Sequence, residues 1–244
     1  MKKSKERIDI LVVERGLAET RQKAQALIMA GSVLSDGVVI DKAGKEVKKE
    51  SVITLKDTLP FVSRGGIKLA GALDDFKINV DGLTVMDIGA STGGFTDCAL
   101  KRGAKKVYAV DVGKSLLDIK LRNDPRVHII EEQNIRYMAP DKIGEKVDLV
   151  TIDVSFISLE KILPKAKEFL KDGGGVLALI KPQFEVGKGQ VGKGGIVKDA
   201  ARHAEVTVKI RGFSEETGFN VAGEAESKIT GAKGNKEFWI YLTL

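Results

Sequence analysis

Lys68, Asp153, Lys181 and Glu237 lie far apart in the chain, yet each borders a structural landmark. Lys68 follows the pair Gly65-Gly66 at a helix start. Asp153 ends the apolar run 147–152, Lys181 ends the run 175–180, and Glu237 opens the last apolar stretch, Phe238-Trp239-Ile240-Tyr241-Leu242. In an open parallel sheet, ligands bind beyond the carboxyl ends of the strands, so polar residues there face one crevice. Two amines and two carboxylates in such a crevice suit deprotonating a weakly acidic hydroxyl beside a cationic cofactor. Taken singly, each residue is as well explained by a turn cap or a solvated charge; the joint pattern carries the reading.

The elements that must position these residues alternate. Apolar β-rich runs predict strands over 84–88, 106–110, 127–130, 147–153 and 175–180. Helical spacing predicts helices over 67–76, 95–102, 115–122, 158–170 and 198–216, and two further strands, 219–226 and 237–244, close the chain. Such alternation implies a mostly parallel sheet with right-handed crossovers. In the 67–76 helix, Ile67, Ala70, Leu73 and Phe76 form the expected core stripe, with Lys68 off it.

The run Asp87-Ile88-Gly89-Ala90-Ser91-Thr92-Gly93-Gly94-Phe95-Thr96 reads as strand end, glycine-rich turn and helix start, where backbone approaches a ligand closely. A dinucleotide fingerprint needs glycine where Ser91 stands, and here the acidic Asp87 precedes the turn. A carboxylate repels a pyrophosphate but holds an ammonium group directly or through water, so S-adenosylmethionine fits better. The cofactor set is then Asp87, Gly89, Ala90, Ser91, Gly93, Gly94 and Phe95. Asp111, after the second strand, would accept the ribose hydroxyls or else serve as a plain helix N-cap. Gln133 and Asn134 would read the adenine edge, and Asp153 closes the set.

Residues 1–57 form a separate basic unit. A helix starts at Arg7 and stops near Gly16, and a second runs over 20–30 with Thr20 as N-cap and Gly31 as its end. Val33-Leu34, the turn Ser35-Asp36-Gly37 and Val38-Val39-Ile40 make a hairpin, and a short strand follows over 51–55. Residues 58–63 read as a linker interrupted by Pro60, and 64–244 as the second domain. Within the latter, the glycine- and lysine-rich stretch 183–211, above all 186–195, predicts a mobile loop that closes Lys188 and Lys193 on a nucleic-acid backbone or is simply a disordered surface loop.

The chain has 244 residues, 30% of them charged, and a net charge of +6, with a pI near 9.2. That balance fits a polyanionic partner, most simply nucleic acid, and equally fits plain solubility. The single Cys98 suggests a reducing compartment and a small core residue. His203, beside Arg202, is expected to be exposed, and no Cys/His spacing suggests a metal site. Neither a secretion signal nor a stretch near the ~20 apolar residues needed to span a bilayer is visible, so the expected location is the cytoplasm without membrane association.

These residues carry a resemblance. Arg7-Ile8-Asp9, Thr20-Arg21-Gln22-Lys23-Ala24 and Ile28-Met29-Ala30-Gly31-Ser32-Val33 resemble an S4-like RNA-binding domain. Ser63-Arg64-Gly65-Gly66-Ile67-Lys68, the 87–96 loop, Asp153-Val154-Ser155-Phe156 and Lys181-Pro182-Gln183-Phe184-Glu185 resemble an FtsJ-type methyltransferase. Together the two are similar to the TlyA family, some members of which are called haemolysins. The likeness implies a Rossmann-like class I S-adenosylmethionine-dependent α/β sheet with an antiparallel last strand, joined to a small α+β domain. It implies 2′-O-methylation of cytidine in ribosomal RNA, with ribosomal subunits as partners. The family's Lys-Asp-Lys-Glu tetrad carries over to Lys68, Asp153, Lys181 and Glu237, with Glu226 a rival for the last place. Lys181 would either take the hydroxyl proton or remain a cation that stabilises the forming oxyanion. RNA contacts would come from Arg7, Arg21, Lys23, Lys42, Arg64, Lys188 and Lys193. A non-enzymatic ribosome-assembly factor needs the first domain but not the tetrad, and a lytic protein finds no support in the sequence.

Overall fold

A computed structural model of the chain describes residues 5–29, 31–55, 60–187, 189–192, 194–231 and 234–244. The chain divides into two units, Met1–Leu59 and Pro60–Leu244.

The first unit runs β1 (Lys5–Arg7), α1 (Ile8–Glu14), α2 (Arg21–Met29), β2 (Val33–Ser35), β3 (Val38–Ile40), β4 (Glu46–Lys48) and β5 (Ile53–Leu55). β2 lies between β3 and β5 in an antiparallel sheet, and β1 pairs with β4. Asp36 and Gly37 turn the hairpin with φ of 50° and 79°; the two positive angles match the right-handed twist of the flanking strands. The β1–β4 ribbon is absent from the sequence expectation, because three-residue charged strands carry no apolar alternation. Ile8, Leu11, Ala24, Ile28, Val33 and Ile53 make a small core.

In the second unit, α3 (Arg64–Asp75) precedes β6 (Thr84–Ile88), α4 (Gly94–Lys101), β7 (Lys106–Val110), α5 (Ile119–Arg122) and β8 (Val127–Ile130). Then come β9 (Val147–Ile152), α6 (Leu163–Lys167), β10 (Leu170–Ile180), α7 (Pro182–Glu185), α8 (Ala200–Glu216), β11 (Asn220–Glu226) and β12 (Phe238–Thr243). The sheet order is β11-β12-β10-β9-β6-β7-β8. β8, β7, β6, β9 and β10 are parallel, and β12 is antiparallel to both its neighbours. Alternate residues of β6 feed different apolar clusters: Met86 and Ile88 pack with Phe169 and Ile162, whereas Val85 packs with Leu69, Phe95 and Trp239. A strand buried on both faces behaves this way.

Four expectations are corrected. The buried face of α3 centres on Gly66, Leu69, Ala72 and Leu73; of the expected stripe Leu73 lies on it, Ala70 and Phe76 pack half-buried at its edge, and Ile67 falls off it. A Cβ on Gly66 would sit 2.3 Å from Phe61, so the close approach at that glycine sets the helix phase. The helix expected over 115–122 reduces to α5, because the Asp118 side chain accepts from Lys120 N–H and starts the helix there. The expected 158–170 helix breaks into a 3-10 turn, Leu159–Lys161, followed by α6, and Leu170 already belongs to β10. Pro164 explains the break, since it has no N–H to continue the earlier turn. His203 is also corrected: it is buried, not exposed.

Candidate active site

The carboxyl ends of β6, β9 and β10 open on a set of adjoining cavities. Gly89, with φ +85°, follows β6, and a Cβ there would sit 2.7 Å from the Asp153 carbonyl oxygen. Only glycine lets the turn pass so close to the end of β9. Gly94 is equally crowded, by Ser63 Oγ, and Ser63 itself caps α3 through the Gly65 N–H. These contacts hold the start of α3, and hence Lys68, against the glycine-rich loop.

Lys68 Nζ donates to Glu237 Oε2 at 2.5 Å, with side chains 11% and 3% exposed. Lys181 Nζ lies 2.5 Å from Asp153 Oδ1 and donates to Ser155 Oγ at 3.1 Å. That Asp153 oxygen is buried and makes no other hydrogen bond, so Lys181 is its charge partner. Lys68 and Lys181 border two cavities in common, of about 240 and 340 Å³. The rival Glu226 instead pairs with Lys236 at 2.9 Å on β11, away from Lys68.

A third cavity, about 450 Å³, is bounded by Asp111, Gln133, Asn134 and Asp153. Ser91 and Gly89 separate it from the 240 Å³ space, which Ala90, Gly94 and Phe95 also border. Asp111 accepts from Ser91 N–H at 2.8 Å and Gly113 N–H at 2.7 Å, so it caps the turn rather than a helix. Gly93 borders none of these cavities; a Cβ there would strike Leu121 and Leu117. Arg64 borders the 240 Å³ space and donates to Thr230 O at 2.9 Å.

Asp87 stands apart. It is buried beneath the loop and accepts from Thr96 Oγ1 at 2.7 Å and Thr151 Oγ1 at 3.3 Å. Burial first, and the Asp153 charge as well, push its carboxyl up to about 7 against the opposing threonine hydrogen bonds. It supports the loop from below and does not border the described cavities.

Sequence reasoning assigned no role to several residues here. Ser155 borders each of the three cavities. Phe156 is 90% exposed at φ 63°, with its ring 5.0 Å from that of Phe184. Their signal was available: they stand two and three residues beyond Asp153, in the loop that leaves β9.

In the first unit, Asp9 is fully buried and gathers Arg7 through two hydrogen bonds of 3.0 Å, Arg21 at 2.9 Å and Gln25 at 2.9 Å. The Arg7 hydrogen bond above all holds its carboxyl far below the usual range, against its burial. Lys23 pairs with Glu19, and Lys42 is exposed. Lys188 and Lys193 lie outside the described residues.

A sheet of this order with a glycine-rich loop after its first strand and carboxylates at the next strand ends defines a Rossmann-like S-adenosylmethionine-dependent methyltransferase. The FtsJ-like methyltransferase model matches residues 61–244 and the S4 domain model residues 6–53. The chain belongs to the TlyA family, in which these two domains are joined. It is 49% identical over 244 residues to the provisionally named rRNA methyltransferase YqxC of Bacillus subtilis, covering 99% of this chain and 87% of the relative. It is 44% identical over 238 residues to the 16S/23S rRNA (cytidine-2'-O)-methyltransferase TlyA of Mycobacterium tuberculosis, covering 97% and 89%. A solved structure from Streptococcus thermophilus, carrying a provisional hemolysin name, superposes with TM-score 0.76 at 45% identity, covering 99% of this chain and 89% of that one.

Proposed function

We propose that the chain transfers a methyl group from S-adenosylmethionine to a ribose 2′-hydroxyl of ribosomal RNA, at a cytidine, as the name of its 44% identical relative states for that protein. One observation carries the reading: the Lys68–Glu237 and Lys181–Asp153 pairs border the same cavities beside the glycine-rich loop. The cofactor fits the residues present. Asp111, Gln133 and Asn134 would hold the adenosine in the 450 Å³ cavity, and Gly89, Ala90, Ser91, Gly94 and Phe95 would hold the amino-acid part. Asp153, which borders both cavities, puts a carboxylate at their junction and so suits an ammonium or sulfonium neighbour. When bound, S-adenosylmethionine supplies a methyl group already activated by its sulfonium charge.

The remaining task belongs to the chain. A 2′-hydroxyl is a poor nucleophile while protonated, and fixing it in line contributes about 7–11 kcal/mol in well-oriented systems. Lys181 is the amine at that hydroxyl, with Asp153 and Ser155 holding Nζ in place: having first released its own proton to solvent it takes the hydroxyl proton and ends as the ammonium paired with Asp153, and as a standing ammonium it instead stabilises the forming oxyanion. Lys68, fixed by Glu237, supplies a positive field at the developing oxyanion. The exposed ring of Phe156 offers a stacking face to a splayed base. Residues 1–57 hold the RNA, with Arg7, Arg21, Lys23 and Lys42 against phosphates, and 64–244 perform the transfer. Ribosomal subunits as substrate place the chain in the cytoplasm.

Labelled methyl transfer to purified ribosomal subunits, followed by mapping of ribose methylation, tests this. The expected result is cytidine 2′-O-methylation by the unaltered chain and a loss of at least ~100-fold in K181A. A folded K181A that transfers at a near-normal rate removes Lys181 from this role, and unmethylated subunits remove the whole reading.

A further inference from the structure

Asn235 is 3% exposed and two residues before Glu237. A buried amide must spend its donors and acceptors inside the protein. Its Oδ1 accepts from Val197 N–H at 3.0 Å and its Nδ2 donates to Gly195 O at 2.9 Å. The Val197 carbonyl is taken as well: His203 Nε2 lies 2.8 Å from it and, since a carbonyl only accepts, must carry the proton. Both backbone groups of Val197, itself 3% exposed, are thus tied to side chains from β12's approach and from α8. Upstream, Gly192 N–H bonds to Ile196 O at 3.1 Å. The segment rooted there is the glycine- and lysine-rich stretch, and its Val191 and Gly195 border the 340 Å³ cavity that Lys68, Lys181 and Glu237 share.

We propose that Asn235 is a positioning residue that, together with His203, pins residues 189–192 and 194–197 as the outer wall of the RNA-acceptor cavity and so sets affinity for RNA rather than the rate of transfer. The inference rests on the proposed function for the identity of the acceptor. Its physical content is that a glycine-rich strap can be a wall only where something rigid holds its end. Glu237 and Asn235 share one short approach to β12, so the same segment places a proposed catalytic carboxylate and anchors the substrate side of the cavity.

Hydrogen exchange and steady-state kinetics on the full chain test it, with variants N235A, H203A and H203Q. Loss of either anchor should speed exchange of peptides from 187–197 by ~10-fold, with the sheet peptides unchanged. It should raise KM for ribosomal subunits by about 5- to 20-fold with kcat within about 3-fold, the signature of lost binding that does not change between ground and transition states. Binding of S-adenosylhomocysteine should not move. H203Q, whose amide still donates to Val197 O, should restore both readouts, and N235A/H203A should be less than additive because both hold the same residue, Val197. Unchanged exchange overturns the anchor. Faster exchange with unchanged KM overturns the wall. If the unaltered chain methylates nothing, the acceptor reading falls and this inference with it, whereas that failure leaves the exchange result to stand alone as a statement about the segment.

Discussion

Replacing Glu237 separates what the Lys68–Glu237 pair does for folding from what it does for transfer. Nζ and Oε2 are 2.5 Å apart, and the side chains are 11% and 3% exposed. E237L therefore leaves an ammonium with little water to replace its partner. Removing one member of a buried pair costs roughly 3–5 kcal/mol; Lys68 also borders two open cavities, so about 2–3 kcal/mol is expected here. Replacing both members by apolar groups removes the stranded charge, so K68M/E237L should recover stability to within about 1 kcal/mol of the parent. Transfer should not recover: a lost electrostatic contact at a reacting centre costs ~100-fold or more, and the double variant lacks the Lys68 cation. Urea unfolding at fixed pH measures the first quantity and single-turnover methylation of ribosomal subunits the second. The reasoning is refuted by E237L as stable as the parent, or by a double variant that regains transfer along with stability.

Asp87 gives a pH prediction. Its carboxyl is raised to about 7, chiefly by burial, so the folded state keeps a proton that the unfolded state releases. The contribution of Asp87 to stability is then greatest below about pH 4, falls as pH rises towards about 7, and is level beyond. D87N should remove on the order of 2 kcal/mol of the fall between about pH 5 and pH 7, read from urea midpoints; an unchanged slope assigns the pH dependence elsewhere. G89A forces a side chain to φ +85° and into the Asp153 carbonyl, and should cost about 1–3 kcal/mol together with S-adenosylhomocysteine binding, checked by thermal melting and calorimetry. R21A should weaken RNA binding at every sequence and lower the salt slope by about 1 while leaving S-adenosylhomocysteine affinity alone, measured by filter binding across a salt series.

The parallel strands were legible because buried, largely apolar runs such as Thr84–Ile88 and Lys106–Val110 match their observed bounds. The antiparallel closing strands and the hairpin at Asp36-Gly37 were legible too. What failed was local competition. Asp118 and Pro164 each reset a helix start that apolar spacing alone would place earlier or carry through, and Gly66 turned α3 by presenting a gap where Phe61 packs. His203 was misjudged because its neighbours in sequence are polar while its neighbours in space are Phe238 and the Val197 carbonyl.

The site divides along the same line. Strand ends announce which residues reach the crevice, so Lys181 and Asp153 could be found one at a time. The contact between Lys68 and Glu237, 169 positions apart, depends on how α3 and β12 meet, which no local pattern records. Depth is also invisible in one dimension: Asp87 and Asp153 both stand at a strand end, yet one is sealed under the loop and the other borders two cavities. Arg7 and Arg21 make the point for the first unit. Each guanidinium has five donors, and Asp9 takes two from Arg7 and one from Arg21. The carboxylate does not use the arginines up; it fixes the direction of what they have left, and a fork held still loses less freedom on meeting a phosphate than one that must first be ordered.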